Sequence, residues 1–263
     1  MNGKKSMRNN TGFTLVELSI VMIIIGLLIG GVLKGQELIS NARIATLVSQ
    51  AKQVSAAYNT FYDSYRAVPG DMATATALVP DCSVATACAN GNGDNLLGVG
   101  LPNNMYAEAW SDVAAQINSE NTQFWKHLAL ADLIGGLNSG ATVVAWEKTH
   151  PYSPLDAGFH ARSSRAFGNI GTLNGLTMVL RNDIGGRWLC DITPDNCAIS
   201  PAYAFLIDKR MDDGFATSGI IQAISTNGWA NGCGRANRGP NGPDGYAHDK
   251  TTKSCDMMFK IEN

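Results

Sequence analysis

One acidic residue lies within the apolar segment GFTLVELSIVMIIIGLLIGGVL, which runs from Gly12 to Leu33. This acid, Glu17, is costly in a bilayer, by about 2.5–3.5 kcal/mol at the centre of a membrane helix and less near the interface. Two explanations are open. Either the helix dipole favours an acid near the helix N-terminus, by about 0.3–1 kcal/mol, or the carboxylate awaits a positive partner inside the membrane.

A cut of the chain between Gly12 and Phe13 would create such a partner. The new α-amine of Phe13 carries a positive charge, and Phe13 lies one helical turn before Glu17. A neighbouring subunit shifted along the helix axis would then place its amine beside this carboxylate. If the chain is cut between Gly12 and Phe13, Glu17 is therefore a candidate for pairing with the Phe13 amine of a neighbouring subunit.

The same residues resemble a known signal. A basic leader ending in Gly, then Phe-Thr-Leu-Val-Glu-Leu and an apolar run, is similar to the type III signal of type IV pilins and type II secretion pseudopilins. The resemblance is strong over residues 1–65. It implies that prepilin peptidase cuts after Gly12 and methylates the amine of Phe13. It also implies that Glu17 aligns subunits in a helical filament, whose partners are further copies, other pilin or pseudopilin subunits and an inner-membrane assembly platform.

The N-terminal third divides into three predicted segments. Residues 1–12 are basic and are expected to form the leader, while residues 13–35 are expected to form a transmembrane and filament-core helix. Residues 13–33 alone would span about 31 Å as a helix, enough to cross a bilayer. The positive-inside rule keeps the basic flank cytoplasmic. By the resemblance, the precursor is a single-pass protein of the bacterial inner membrane, and the product belongs to a periplasmic or cell-surface filament.

An amphipathic continuation of this helix is predicted over residues 36–68. Apolar residues recur there at spacings of three and four, which is one stripe of an α-helix. Pro69-Gly70 is expected to end the helix. The stripe consists of Ile44, Leu47, Val48, Ala51, Val54, Tyr58, Phe61, Tyr65 and Val68.

A soluble globular head is predicted over residues 69–263. Helical patterns occur at 105–117 and at Phe124–Ile134, and strand-like runs lie at Thr142–Trp146, Leu176–Leu180, Tyr203–Ile207, Ile220–Ile224 and Met257–Ile261. The connections are too short for crossover helices, which favours an antiparallel sheet. We therefore predict an α+β fold in which a long N-terminal helix packs on an antiparallel sheet with extra helices and disulfides. The pilin resemblance implies the same arrangement.

Six cysteines in a chain that looks exported indicate disulfides. Six cysteines allow 15 connectivities, of which sequence proximity favours three neighbouring pairs. A zinc site is the alternative, although the chain has no C-x-x-C pair and its histidines are scattered. The favoured pairs are Cys82–Cys88, Cys190–Cys197 and Cys233–Cys255.

Two polar stretches are candidate ligand sites. Asn90, Asn92 and Asp94 offer side-chain oxygens at alternating positions, as a calcium loop begins, but the later positions of an EF-hand do not follow. A turn is the preferred interpretation and calcium the alternative. Residues 208–214, DKRMDDG, lie between two strand-like runs and are predicted to form a hairpin turn. Together with the loop NGNGD and the helix WKHLALADLI, this segment also resembles some large-headed pilin-like proteins.

Nothing in the sequence predicts an enzyme or a nucleic-acid-binding protein. No catalytic motif surrounds the four histidines, and the net charge of −2 becomes −5 once the leader's three positive charges are removed. The predicted function is a structural subunit of a type IV pilus or type II secretion pseudopilus. The alternative is a minor pilin, an adhesin or a membrane-anchored binding protein that uses the signal only for export.

Overall fold

A computed structural model describes residues 14–98, 116–164, 173–184, 197–224, 233, 245–248 and 251–261. The chain divides into two compact units, Met1–Ala42 and Arg43–Asn263. The helices are α1 (Leu15–Tyr65), α2 (Ala75–Leu78), a 3₁₀ turn (Val84–Thr86), α3 (Glu120–Leu130) and α4 (Pro201–Met211). The strands are β1 (Tyr152–Ser153), β2 (Ala157–Ser164), β3 (Gly175–Arg181), β4 (Ile221–Ile224) and β5 (Asp256–Lys260).

Helix α1 supplies all of the described structure of the first unit from Leu15 onward. Most of its residues there are apolar, and its large apolar side chains are exposed from Leu15 to Leu33 and at Leu38 and Ile39. An 18-residue window of α1 has a mean hydropathy of 2.6, and none of that window is buried within the chain. By length and composition, α1 can therefore cross a membrane.

In the second unit, the remainder of α1 buries the predicted apolar stripe. Ile44, Leu47 and Phe61 are fully buried, and Val48 and Tyr65 are partly buried against the same core. The helix ends at Tyr65 because Arg66 adopts a left-handed conformation with φ of 52° while its N–H still bonds to the Tyr62 carbonyl. This helix end precedes the predicted stop at Pro69-Gly70.

The sheet of the second unit is antiparallel throughout, in the order β1-β2-β3-β5-β4. Alternate residues of β2, β3, β4 and β5 join the main core. Phe159 lies opposite Leu180, and Phe259 lies opposite both Met178 and Ile221. These side chains pack in the same core as the buried stripe of α1, so the predicted α+β fold with a long helix and an antiparallel sheet is confirmed.

Two predicted strands are wrong. Tyr203–Ile207 lies within α4, where Ala204, Ile207 and Asp208 form the buried helical face behind a Pro at the first turn. Thr142–Trp146 forms no strand, because the chain turns tightly there: the N–H groups of Lys148 and Thr149 both bond to the Ala145 carbonyl. Trp146 makes only an isolated bridge to His150.

Other boundaries also differ from the prediction. Strands β1 and β2 were not anticipated. Helix α3 ends at Leu130, where Asp132 turns left-handed, rather than at Gly135-Gly136. Residues 208–214 connect a helix to a strand, so the predicted hairpin is wrong, although Gly214 has the expected positive φ of 78°. The helical pattern at 105–117 lies outside the described residues except for its last two residues.

Gly158 of β2 provides a sharp test of this packing. The six-membered ring of the Trp146 indole lies directly against it, so that an added Cβ would overlap ring carbons of that indole. We expect Gly158→Ala to destabilise the head by about 1–3 kcal/mol through overpacking. Gly135→Ala is the matched control, because a Cβ there meets no atom within 4 Å. Equal denaturation midpoints for the two variants would contradict this packing.

Candidate functional site

The start of α1 holds Glu17 in a reciprocal hydrogen-bonded arrangement with Thr14. The Glu17 Oε2 atom accepts hydrogen bonds from the backbone N–H of Thr14 and from its hydroxyl, both at 2.8 Å. In return, the Glu17 N–H donates to the Thr14 hydroxyl oxygen at 3.2 Å. This is a capping box, which satisfies N–H groups that a helix end leaves without partners.

Thr14 is a functional candidate that the sequence analysis missed. The signal was present as Thr-x-x-Glu immediately before an apolar run, which is the sequence pattern of a capping box. Thr14 and Glu17 together therefore define the start of α1 at Leu15. Gly12 and Phe13, the predicted processing site, lie outside the described residues.

The comparisons with known proteins bear on this same segment. The prokaryotic N-terminal methylation motif matches residues 7–33, which include the capping box and most of the exposed apolar helix. This is the N-terminal motif that type IV pilins and pseudopilins carry, and the match supports a relation of this segment to that family. No curated protein and no solved structure matches the chain.

The motif and the exposed apolar helix support a pilin-like exported protein that is anchored in a membrane before assembly. The methylation motif implies processing by prepilin peptidase and assembly with other pilins. The family that carries the motif is structural rather than enzymatic.

In the pilin-like head, a loop closes over a buried carboxylate just beyond α1. Asp71 is 2 % exposed. Its Oδ1 accepts the N–H groups of Gly93 at 2.7 Å and Asp94 at 3.2 Å, and its Oδ2 accepts that of Asn95 at 2.7 Å. Burial raises the pKa of Asp71, and these three hydrogen bonds oppose that rise. The end of α1 is thereby fixed to the loop NGNGD.

Helix α3 holds the same loop with polar side chains one turn apart. Glu120 accepts the N–H groups of Asn92 at 3.0 Å and Gly98 at 3.1 Å. Gln123 accepts the Ala89 N–H at 2.9 Å, and its amide donates to the Ala87 carbonyl at 3.0 Å. Burial raises the pKa of Glu120 to about 7, against the effect of its two N–H donors.

His127 connects α3 both to the segment just after α1 and to the residue before the loop NGNGD. Its Nδ1 accepts the Gly70 N–H at 2.9 Å, and its Nε2 lies 2.9 Å from the Ala89 carbonyl oxygen. Since a carbonyl only accepts, Nε2 carries the proton and the ring is neutral. Burial lowers the pKa of His127 to about 4.

Lys126 is buried beside His127 without a carboxylate partner in the described part of the chain. Its ammonium donates to three backbone carbonyls instead, those of Thr86 at 2.6 Å, Ala141 at 2.8 Å and Ser139 at 2.9 Å. Burial lowers the pKa of this amine. The three bonds use every donor of the side chain, so Lys126 fastens two loops to α3.

These contacts explain the predicted ligand residues of the loop. The Asn90 Oδ1 atom accepts from the N–H and hydroxyl of Thr76, and the Asn92 Oδ1 atom accepts from the Asp94 N–H. Asp94 Oδ1 in turn accepts from the Leu96 N–H. Asn92 and Asp94 thus accept from backbone N–H groups two residues further along, as in Asx turns, whereas Asn90 fixes the loop to Thr76.

The structure contains the disulfides Cys82–Cys88 and Cys233–Cys255, and all four of these cysteines are described. Both pairs were expected from sequence proximity. The first closes the loop that α3 holds, and the second fixes a residue next to β5. Cys197 is also disulfide-bonded, and Cys190, its predicted partner, lies outside the described residues. The described bonds leave the sulfurs of Cys82 and Cys88 no thiolate for a zinc ion.

The segment after α4 is organised by three aspartates, Asp208, Asp212 and Asp213, whose carboxylates lie within 4.8 Å of one another. Each accepts hydrogen bonds from its own chain. Asp208 accepts the Tyr246 hydroxyl at 2.7 Å and the Gly214 N–H at 3.1 Å, and burial raises its pKa to about 6. Asp212 accepts from Ile220 and Ile221, and Asp213 from Phe215 and Ser218.

The raised pKa of Glu120 has a measurable consequence for stability. Between the ordinary pKa near 4.5 and about 7, the folded head binds a proton that the unfolded chain has released. The contribution of Glu120 to stability is therefore complete below about pH 4.5 and is lost as the pH rises through 7.

We expect the stability of the wild-type protein, relative to Glu120→Gln, to fall as the pH rises from 5 to 7 and then to level off. Denaturant unfolding at pH 5, 6, 7 and 8 measures this difference. A difference that is independent of pH would contradict the assignment.

Proposed function

We propose that this chain is a structural subunit of a type IV pilus or a type II secretion pseudopilus. Prepilin peptidase would cut it between Gly12 and Phe13 and methylate the new amine, and the product would polymerise through α1. The observation that carries the proposal is the position of Glu17, a carboxylate on the first turn of an exposed apolar helix inside the matched motif.

The geometry of this carboxylate suggests how it serves two states. Among the described residues, the hydrogen bonds from Thr14 both end on Oε2. In our proposal, Oε1 accepts the amine of a neighbouring subunit's Phe13 once the leader has been removed. Inside an apolar bundle this pair gains strength from the low dielectric, which offsets the cost of removing both charges from water.

The apolar surface of α1 supports the same account. Leu15 is 85 % exposed and Leu27 is 72 % exposed, and added Cβ atoms at Gly26 and Gly30 would meet nothing within 4 Å. Such a helix needs an apolar environment along its whole surface. Lipid and the packed helices of a filament both provide one, and small residues permit close packing between helices.

Glu17→Gln separates charge pairing from helix capping, because an amide can still accept a hydrogen bond from Thr14 but carries no charge. We expect the variant to be processed normally in its native host and to yield at least tenfold less sheared filament. Glu37→Gln is the control, because Glu37 is an exposed acid of the same helix, paired with Lys34 at 2.7 Å. Normal filaments from Glu17→Gln would contradict the proposed pairing.

The abundance of the wild-type chain in the same sheared fraction separates the roles. A main structural subunit would dominate the filaments. A chain present in trace amounts, or retained in the membrane without filaments, would instead support a minor adhesive subunit or an anchored binding protein.

A further inference from the structure

Two buried histidines from different segments meet at the edge of the sheet. His150 precedes β1 and has no exposed surface, and His160 lies on β2 and is 5 % exposed. Their ring centroids are 5.0 Å apart. The indole of Trp146 contacts both rings, with centroids 5.9 Å from His150 and 5.2 Å from His160.

Hydrogen bonds fix the protonation of each ring. His160 Nε2 lies 3.2 Å from the Asp183 carbonyl oxygen, so this nitrogen carries the proton. His150 Nδ1 lies 2.9 Å from the Thr149 hydroxyl oxygen, and that hydroxyl donates to the Ala145 carbonyl. The hydroxyl oxygen therefore accepts from His150 Nδ1–H.

Each ring is left with a bare nitrogen in the interior. Among the described residues, His150 Nε2 and His160 Nδ1 have no hydrogen-bond partner. A proton taken up at either atom would create a buried N–H group and a buried charge, neither with an acceptor. The neutral rings are compatible with this packing and the charged rings are not.

The surrounding charges add to this cost. Arg162 on β2 and Arg181 on β3 both disfavour a positive charge on His160, and Asp256 on β5 is occupied by Arg181 at 3.4 Å. Burial first, and then Arg181, lowers the pKa of His160 to about 3. Burial and the neighbouring His160 lower the pKa of His150 well below its usual value. Among the described residues, Glu147 follows Trp146 in the chain, the Tyr152 ring lies 5.7 Å from the indole, and Asp183 supplies the carbonyl that His160 contacts.

We propose that His150 and His160 form an acid-sensitive latch, which holds the segment 145–153 on β2 while both rings are neutral and releases it when they take up protons. The contacts with β2 that opening would break are the pairings of Tyr152 with Gly158 and Ser153 with Ala157, the hydrogen bond from the Phe159 N–H to the Pro151 carbonyl at 3.0 Å, and the indole of Trp146 on Gly158. Beyond β2, the Gln50 side chain donates to the Tyr152 carbonyl at 3.3 Å, and the Trp125 ring lies 6.2 Å from that of His150.

The direction of the pH effect follows from linkage. When the segment 145–153 leaves β2, the rings of both His150 and His160 are exposed to water, and each regains a pKa near 6.5. As the pH falls from about 6 to about 4, the open state therefore binds protons that the closed state refuses. Each histidine raises the opening equilibrium constant by about tenfold per pH unit.

The test uses full-length protein in detergent micelles and hydrogen exchange of the Phe159 amide. His160→Gln keeps a donor for the Asp183 carbonyl, and His150→Asn keeps a donor for Thr149, but neither side chain titrates. As the pH falls, the opening constant of the wild type should grow relative to each single variant by about tenfold per unit. Relative to the double variant it should grow by about a hundredfold per unit.

His248→Gln is the control, because this histidine is exposed, and it should follow the wild type. Each single variant is a separate test, so one that does not fold leaves the other informative. Identical pH dependence in the wild type and both single variants would overturn the latch. A wild-type profile that changes on addition of a chelator would also overturn it, because a metal ion would then occupy the bare nitrogens.

Discussion

A carboxylate on the first turn of an apolar helix needs partners in every environment that the helix enters. In this chain Glu17 has a partner within its own segment, because Thr14 donates to it through both backbone and hydroxyl. The internal bonds lower the cost of placing the acid in a membrane. They use one oxygen in the described structure, and the proposed assembly depends on the other. The remaining apolar surface of α1 is compatible with lipid before assembly and with neighbouring helices after it, because both surroundings are apolar.

The head relies on a second set of buried polar contacts. The polar face of α3 is turned inward, where Glu120, Gln123, Lys126 and His127 bind backbone groups of the surrounding loops. Asp71 binds the same loop from the end of α1. The loop NGNGD and the helix WKHLALADLI, which the sequence relates to large-headed pilin-like proteins, are thus parts of one hydrogen-bonded structure. The hydrogen bonds between this loop and this helix are enough to explain why the two segments occur together in one sequence.

The sequence predicted those features that are encoded by residues close together in the chain. The motif, the apolar helix, the buried stripe of α1 and strands β3, β4 and β5 follow from composition and spacing. Strand β2 was missed because its outward residues His160 and Arg162 are polar, although His160 is buried. Tyr203–Ile207 was assigned to a strand from its apolar run, against the helix-start signal of Ser200-Pro201.

The polar sites of the head could not be read from side-chain patterns. Asp71 binds backbone N–H groups that lie 22 to 24 residues further along the chain. Backbone groups are the same in every residue, so such a contact leaves no sequence pattern beyond the glycines of the turn. Only Thr14 was available in advance, because a capping box joins two side chains at a fixed spacing.

The most direct test of the account is the mass and N-terminal peptide of the protein recovered from its native membrane or from sheared filaments. The account predicts a chain that begins with methylated Phe13 and is lighter than the full sequence by residues 1–12. A chain that still begins near Met1 would contradict it. Glu17 would then be only the capping acid of a membrane anchor.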